Sequence, residues 1–271
     1  DLVHNFVERW NEASERHTDD GAWNSDPDDQ LPYAAQPSPP AGEVTVQIQR
    51  MLDPRRYPPH RVERSIVEQY EKAIDAARHA IYLQNQAIPM PVVARPLLRA
   101  VERGVEVVLL VPAVPEGYVF AARNDPAEAA RFEGIEQLAR YDNFTLAGLT
   151  EIRDGRRSTA YVHAKMMVVD DAWLTLGSCN LHPYSLAGHT EMNASIWDAG
   201  VARDLRQRLF RQHLGQDAAG LEGAAALRLF RQRALANAAR RARGDLDWQG
   251  RVFALEAHDY GTPRGAKPDL T

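Results

Sequence analysis

Cysteine is almost missing from this sequence: Cys179 stands alone among 271 residues. A single thiol excludes an intrachain disulfide and a cysteine-built zinc set. Long apolar runs are missing as well. No stretch reaches the roughly 18 consecutive residues of a membrane-spanning helix, and no basic segment followed by an apolar one opens the chain in the manner of a secretory leader. Neither sign of charge dominates. The 32 basic and 37 acidic residues leave a net charge of −5, which disfavours a nucleic-acid binder driven by bulk charge and leaves room for a local basic site. No internal repeat is present, so a solenoid is excluded.

What is present is a chain with 44% hydrophobic residues, enough to bury a large core in one domain or two small ones. It reads as a soluble globular protein, cytoplasmic or secreted, that would meet a lipid substrate as a peripheral visitor. Leu2, Val3, Phe6, Val7 and Trp10 form a helical stripe that calls for a core at once, so the chain is expected to begin in mid-structure. Residues 1–42 are read as this tail helix and a linker from Asp19 to Gly42 rich in Asp, Pro and Ala. Residues 43–271 are read as the body. There, strands at Val44–Gln49, Ile81–Gln84, Val105–Val111 and Phe144–Leu149 alternate with helices at Ser65–His79, Val92–Arg103 and Ala127–Tyr141. Pro96 is expected to kink its helix or mark its first turn, and Pro112–Asp125, with Tyr118 and Phe120, reads as a loop. Two further helices are expected, Val201–Leu214 and Gly223–Arg243. The arginines of the second are read first as a solvated face and second as phosphate holders. No role is assigned to the tail from Asp245. Such alternation predicts an α/β fold, a mixed sheet with helices on both faces.

The chemistry concentrates between Tyr161 and Ile196. Tyr161–Asp170 reads as one strand of a hairpin, turning at Asp170-Asp171 into Trp173–Leu176. Alternation then puts His163 and Lys165 on one face, roughly 6 to 7 Å apart. Gly177 ends the return strand, and Ser178 and Asn180 sit where the chain turns. A further strand over Thr190–Ile196 carries Glu191, which beside the hairpin would hold a ring nitrogen of His163 and favour the imidazolium. Alone, each piece is ordinary, since Ser and Asn cap helices and His-x-Lys occurs by chance. Their combination at this spacing is not.

His163-x-Lys165, then Asp170, then Gly177-Ser178-x-Asn180 resembles the signature of the phospholipase D superfamily. The likeness extends to Ala80–Gln86, which ends in Asn85-Gln86, to Arg103-Gly104-Val105-Glu106-Val107, and to a helix closing in His213-Leu214-Gly215. Phe6 and Arg9-Trp10-Asn11 resemble the helix that ends the first half of two-motif members. The resemblance implies a metal-independent, cofactor-free transfer at a phosphodiester, in which two such motifs meet at one site. One histidine forms a phosphohistidine and the other serves as general acid and base. This chain holds one His-x-Lys, so the resemblance casts it as the C-terminal half. His163 is then the acid–base, with the nucleophile on an N-terminal half or a second chain. Lys165 and Asn180 are cast as binding phosphoryl oxygens. Glu191 orients an imidazole, Ser178 bonds a site carboxylate or a phosphate oxygen, and Gly177, Asn85 and Gln86 line the substrate. The motif includes Asp170 in the catalytic set, whereas strand geometry sends it about 20 Å away as a turn stabiliser. Cys179 fills the motif's variable position. The favoured activity is hydrolysis of phospholipid headgroup esters, with transfer to alcohols as the same chemistry. A homodimeric single-motif nuclease and a non-catalytic binding half are the alternatives.

Overall fold

Two apolar runs with no polar alternation, at Ala80–Gln84 and Glu106–Leu110, fix the centre of the fold, because strands that are apolar on both faces need cover on both. The computed structural model describes residues 2–14, 30–36, 38–52, 62–216, 218–245 and 247–265. The order is α1 (Leu2–Ser14), β1 (Thr45–Leu52), β2 (Glu63–Arg64), α2 (Ser65–Ala76), β3 (Ala80–Gln84), α3 (Pro91–Glu102), β4 (Glu106–Leu110) and α4 (Gly117–Arg123). A 3₁₀ turn at Pro126–Glu128 leads into α5 (Ala129–Leu138), β5 (Phe144–Arg153), β6 (Arg156–Ala160), β7 (Met166–Val169) and β8 (Trp173–Gly177). The chain continues through α6 (Pro183–Ala187), β9 (Glu191–Trp197), α7 (Ala199–Leu214), α8 (Gly223–Ala242) and β10 (Val252–Ala254).

The strands form one mixed sheet in the order β10-β5-β4-β3-β7-β8-β9-β1-β2, with β6 on the side of β5. β3, β4 and β5 are parallel, and β7 joins β3 antiparallel. Alternation sorts the core. Ile81, Leu83, Val107, Leu109, Met167 and Val169 pack under α2, α3 and α5. Tyr82, Val108, Leu110, Met166 and Val168 pack under α7 and α8. This is the expected α/β arrangement, with helices on both faces.

The departures have local causes. Pro112–Asp125 is not a plain loop, since Gly117–Arg123 is helical and buries Val119. The expected strand Tyr161–Asp170 is split: β6 pairs with β5, β7 pairs with β3, and residues 161–165 cross between the two partners outside any strand. Pro91 opens α3, and the helix runs on through Pro96. The unassigned tail supplies β10, paired with β5. Of the apolar stripe on α1, Val7 alone is buried; Leu2, Val3, Phe6 and Trp10 are exposed. The helix is tied down by charge, with Arg50 Nη1 2.5 Å from Glu8 and Nη2 2.8 Å from Glu63 of β2. In the proposed linker, residues 30–36 and 38–42 hold no helix or strand, and the rest lies outside the described residues. The α8 arginines are engaged within the chain: Arg228 and Arg231 with Glu106, Arg233 with Gln216, Arg240 with Asp245.

Two polar devices hold this frame. Asp170 and Asp171 form the β7–β8 turn in the left-handed region, at φ 53° and 52°, with Ala172 N–H on the Val169 carbonyl at 3.0 Å. Their side chains offset the strain of non-glycine residues there. Asp170 accepts from the Arg78, His79 and Ala80 amides at 2.8 to 2.9 Å, clipping the turn to the start of β3. Asp171 takes both Nε and Nη2 of buried Arg206, at 2.6 and 2.7 Å. Across the sheet, Gln84 Nε2 donates to the Tyr82 hydroxyl at 2.8 Å, and that hydroxyl faces His213 Nδ1 at 3.0 Å. Burial, with the Arg251 charge, pulls His213 down to about 4, so the ring beside Tyr82 is neutral near pH 7.

Removing the Asp170 carboxylate takes three charge-assisted hydrogen bonds from a partly exposed turn. Asp170→Ala is expected to cost about 2 to 4 kcal/mol, lowering the melting temperature by roughly 5 to 12 °C in a chain of this size. An unchanged melting temperature contradicts the assignment. Because His213 binds its proton less readily when folded than at its unfolded value of about 6.5, folding stability is full above that value and falls as pH drops toward about 4. The loss approaches about 3 kcal/mol at the low end. Denaturant melts at pH 7, 6 and 5 are expected to show a shallower pH slope for His213→Gln, and equal slopes overturn the reading.

Candidate active site

The C-terminal ends of β3 and β4, the N-terminal end of β7 and the C-terminal end of β8 meet at one rim of the sheet, a consequence of β7 running antiparallel to β3. The motif residues gather there. Lys165 directly precedes β7, and its carbonyl accepts from the Gly177 amide at 3.0 Å, so the hairpin register sets His163-x-Lys165 against Gly177-Ser178. The Lys165 amine turns back, donating to the His163 carbonyl at 2.7 Å and to Gln86 Oε1 at 3.0 Å. Lys165 is 8% exposed. Burial lowers its pKa, and the Glu191 charge opposes that effect. His163 is exposed, with the ring of Tyr161 stacked at 5.9 Å between centroids. Tyr161 is held in turn by Glu116, to which it donates, and by Gln86 Nε2 at 2.7 Å.

The Gly177–Leu181 segment is pinned from several sides. A Cβ on Gly177 would collide with Asn193 Oδ1 and the Met192 carbonyl, so glycine serves the close approach of β9. Asn85 is buried and spends its whole amide on backbone: Oδ1 accepts from Ala87 at 3.0 Å and Leu181 at 3.1 Å, and Nδ2 donates to the Cys179 carbonyl at 3.4 Å. The expected substrate contact of Asn85 is therefore replaced by a positioning role around Asn180. Gln86 likewise positions Lys165 and Tyr161. Asn180 is half-buried, and its Oδ1 is buried with no partner among the described residues. Cys179 is fully buried, and desolvation pushes its thiol far up, so it is no nucleophile here.

Glu191 does not hold His163. β8 lies between β7 and β9, which separates the two residues by two strand spacings, about 10 Å. Its oxygens are taken by Ser178 Oγ at 2.5 Å and Ser185 Oγ at 2.6 Å. Ser178 also accepts from the Met192 amide at 3.1 Å, so of its two expected partners the site carboxylate is the one it meets. Asp170 lies at the opposite end of β7, about 17 Å along the strand from Lys165, which removes it from the reacting centre. Among the described residues no group of three or more His, Cys, Asp or Glu is set to hold a metal.

Several site residues carried no motif signal. Ser185, on short α6, clamps Glu191. Tyr118, His182, Tyr184 and His189 form a run of ring contacts along the rim, with centroids 5.2, 5.0 and 5.4 Å apart. Burial and the Arg131 charge hold His182 down to about 4. Tyr161, read in the sequence only as the start of a strand, falls two residues before His163, a spacing that could have marked it.

The chain is similar to known proteins. The family model described as "Cardiolipin synthase, PLD-like domain" matches residues 70–213, just over half of the chain. Phospholipase D A of Dictyostelium discoideum is 27% identical over 266 residues, covering 79% of this chain and 20% of that protein. Cardiolipin synthase 1 of Staphylococcus epidermidis is 30% identical over 140 residues, covering 51% of this chain and 25% of its own. The chain thus spans about a fifth to a quarter of these relatives. Among solved structures, the phospholipase D family member Nuc from Salmonella typhimurium aligns with a TM-score of 0.42 at 21% identity, over 61% of this chain and 91% of its own. NucT from Helicobacter pylori aligns with a TM-score of 0.45 at 15% identity, over 61% and 93%. With the family model spanning the motif hairpin and the strands that frame it, the chain belongs to the phospholipase D superfamily.

Proposed function

We propose that this chain supplies the acid–base half of a phosphodiester-transferring site that acts on phospholipid headgroup esters. The observation that carries the reading is the Lys165 amine, buried at the rim with neutral oxygens as its hydrogen-bond partners beside an exposed imidazole. A desolvated cation so placed gains most from an anionic ligand. A histidine from the partner half attacks phosphorus. The bond to the leaving alcohol breaks, and His163 gives that oxygen its proton. Neutral His163 then takes the proton of water or an acceptor alcohol, whose oxygen displaces the partner histidine. The Lys165 ammonium offsets the charge on the phosphoryl oxygens, and the Asn180 amide donates a hydrogen bond to them, in both steps. Glu191, held by two serines, orients the imidazole that the partner brings. The apolar face of α1 and exposed Leu176 offer that partner a surface. Exposed Tyr118, Tyr161 and Tyr184 on the rim suit a membrane interface, where a ring with one polar end is at home.

A second reading, two identical chains pairing around the site, draws on the separation of Glu191 from His163: under a two-fold axis each Glu191 meets the other chain's His163. It predicts a dimer by sedimentation and cleavage of DNA in preference to phospholipid.

In an assembly with the half that brings the nucleophilic histidine, His163→Ala is expected to cut choline release from phosphatidylcholine vesicles by a factor on the order of 10² to 10⁴, with an unchanged melting temperature of this chain because the side chain is exposed. Full turnover of an ester with a poor leaving group by this variant contradicts the acid role.

A further inference from the structure

Beside the His163 centre stands a second polar cluster whose hydrogen bonds do not close. On α5, Arg131 is buried, and its Nη1 donates to Glu128 at 2.7 Å. Its Nε and Nη2 are buried with no partner among the described residues. The Tyr260 hydroxyl, just past β10, is in the same condition. Arg131 Cζ lies 6.0 Å from the centroid of the Phe132 ring. Tyr260 shares a core with Val119 and Phe132, and a Cβ on the adjoining Gly261 would lie 3.3 Å from both of those side chains. The Arg131 charge acts on Tyr260, Tyr118 and His182 alike. Tyr118 and His182 meet edge-on at 5.2 Å. His182 follows Asn180 by two residues, and Tyr118 and Tyr260 both act electrostatically on or with Tyr161, the ring stacked on His163.

Elsewhere in the molecule the same guanidinium edge shows what it binds. Nε and Nη2 of Arg206 grip Asp171, those of Arg99 grip Asp75, and those of Arg50 grip Glu63. The planar fork matches a two-oxygen anion. A buried fork with no such partner, next to a buried hydroxyl with none, needs an explanation that internal packing does not provide.

We propose that Arg131, Tyr260 and the ring of His182 form a subsite for a second anionic group, phosphate or carboxylate, carried on the substrate headgroup. Tyr118 is the most exposed ring of this cluster and sits on seven-residue α4; its displacement opens the way in. The subsite rests on the phosphodiester reading, and it makes the chain selective for anionic over zwitterionic headgroups.

The test is calorimetric titration of the full chain with phosphorylcholine, phosphoserine and 1,3-bisphosphoglycerol. A probe with a second anion is expected to bind at least about tenfold more tightly than phosphorylcholine. Preference for phosphoserine identifies a carboxylate, and preference for bisphosphoglycerol a phosphate. Arg131→Gln is expected to erase the preference while leaving phosphorylcholine affinity unchanged, and Tyr260→Phe to reduce it. If Arg131→Gln melts early, Arg131→Lys carries the test, because it keeps the charge and loses the fork. Equal affinity for all three probes, or a preference that survives both Arg131 variants, overturns the subsite. Phosphorylcholine affinity that ignores Lys165→Ala overturns the phosphodiester reading separately.

Discussion

A buried ammonium group with neutral oxygens for hydrogen-bond partners sets the terms for the rest of this molecule. Lys165 is desolvated at the sheet rim, and the Gln86 amide oxygen and the His163 carbonyl orient it without neutralising it. Such a group is costly in the absence of an anion and strongly favourable in its presence. The structure around it maintains that condition. β3 ends where Gln86 can reach the amine, Asn85 fixes the loop that carries Asn180, and Gly177 admits β9 close enough for Glu191 to be held by Ser178.

The mixed sheet is what makes this rim possible. Parallel strands β3 and β4 deliver loops at their C-terminal ends, and antiparallel β7 delivers its N-terminal end to the same edge. The opposite end of β7 is anchored by Asp170 on three amides and by Asp171 on Arg206. The hairpin is thus rigid at its turn and chemically equipped at its mouth. The topology also divides labour between imidazole and carboxylate. With β8 interposed between β7 and β9, Glu191 is held by Ser178 and Ser185 and not by His163.

Much of this was legible in the residues. The period of the apolar pattern gave the strands of the central sheet and the long helices, and the motif spacing placed His163, Lys165, Ser178 and Asn180 around one turn. The turn role of Asp170 followed from counting residues along a strand. Other features were not legible, for definite reasons. The break between β6 and β7 depends on a change of pairing partner, from β5 to β3, that no local pattern records. The helix at Gly117–Arg123 is too short for periodicity to reveal, and β10 is three residues long.

The sequence by itself determined which chemical groups stand close together on the hairpin, because neighbours along an extended chain and across a tight turn are neighbours in space. The tertiary structure alone decided which of them face one another across strands. It assigned Asn85 and Gln86 to positioning and gave Glu191 to Ser178 and Ser185. Those pairings depend on strand order and on helix placement over the sheet. Both are fixed by how the two apolar cores close, a property of the whole chain and not of any segment.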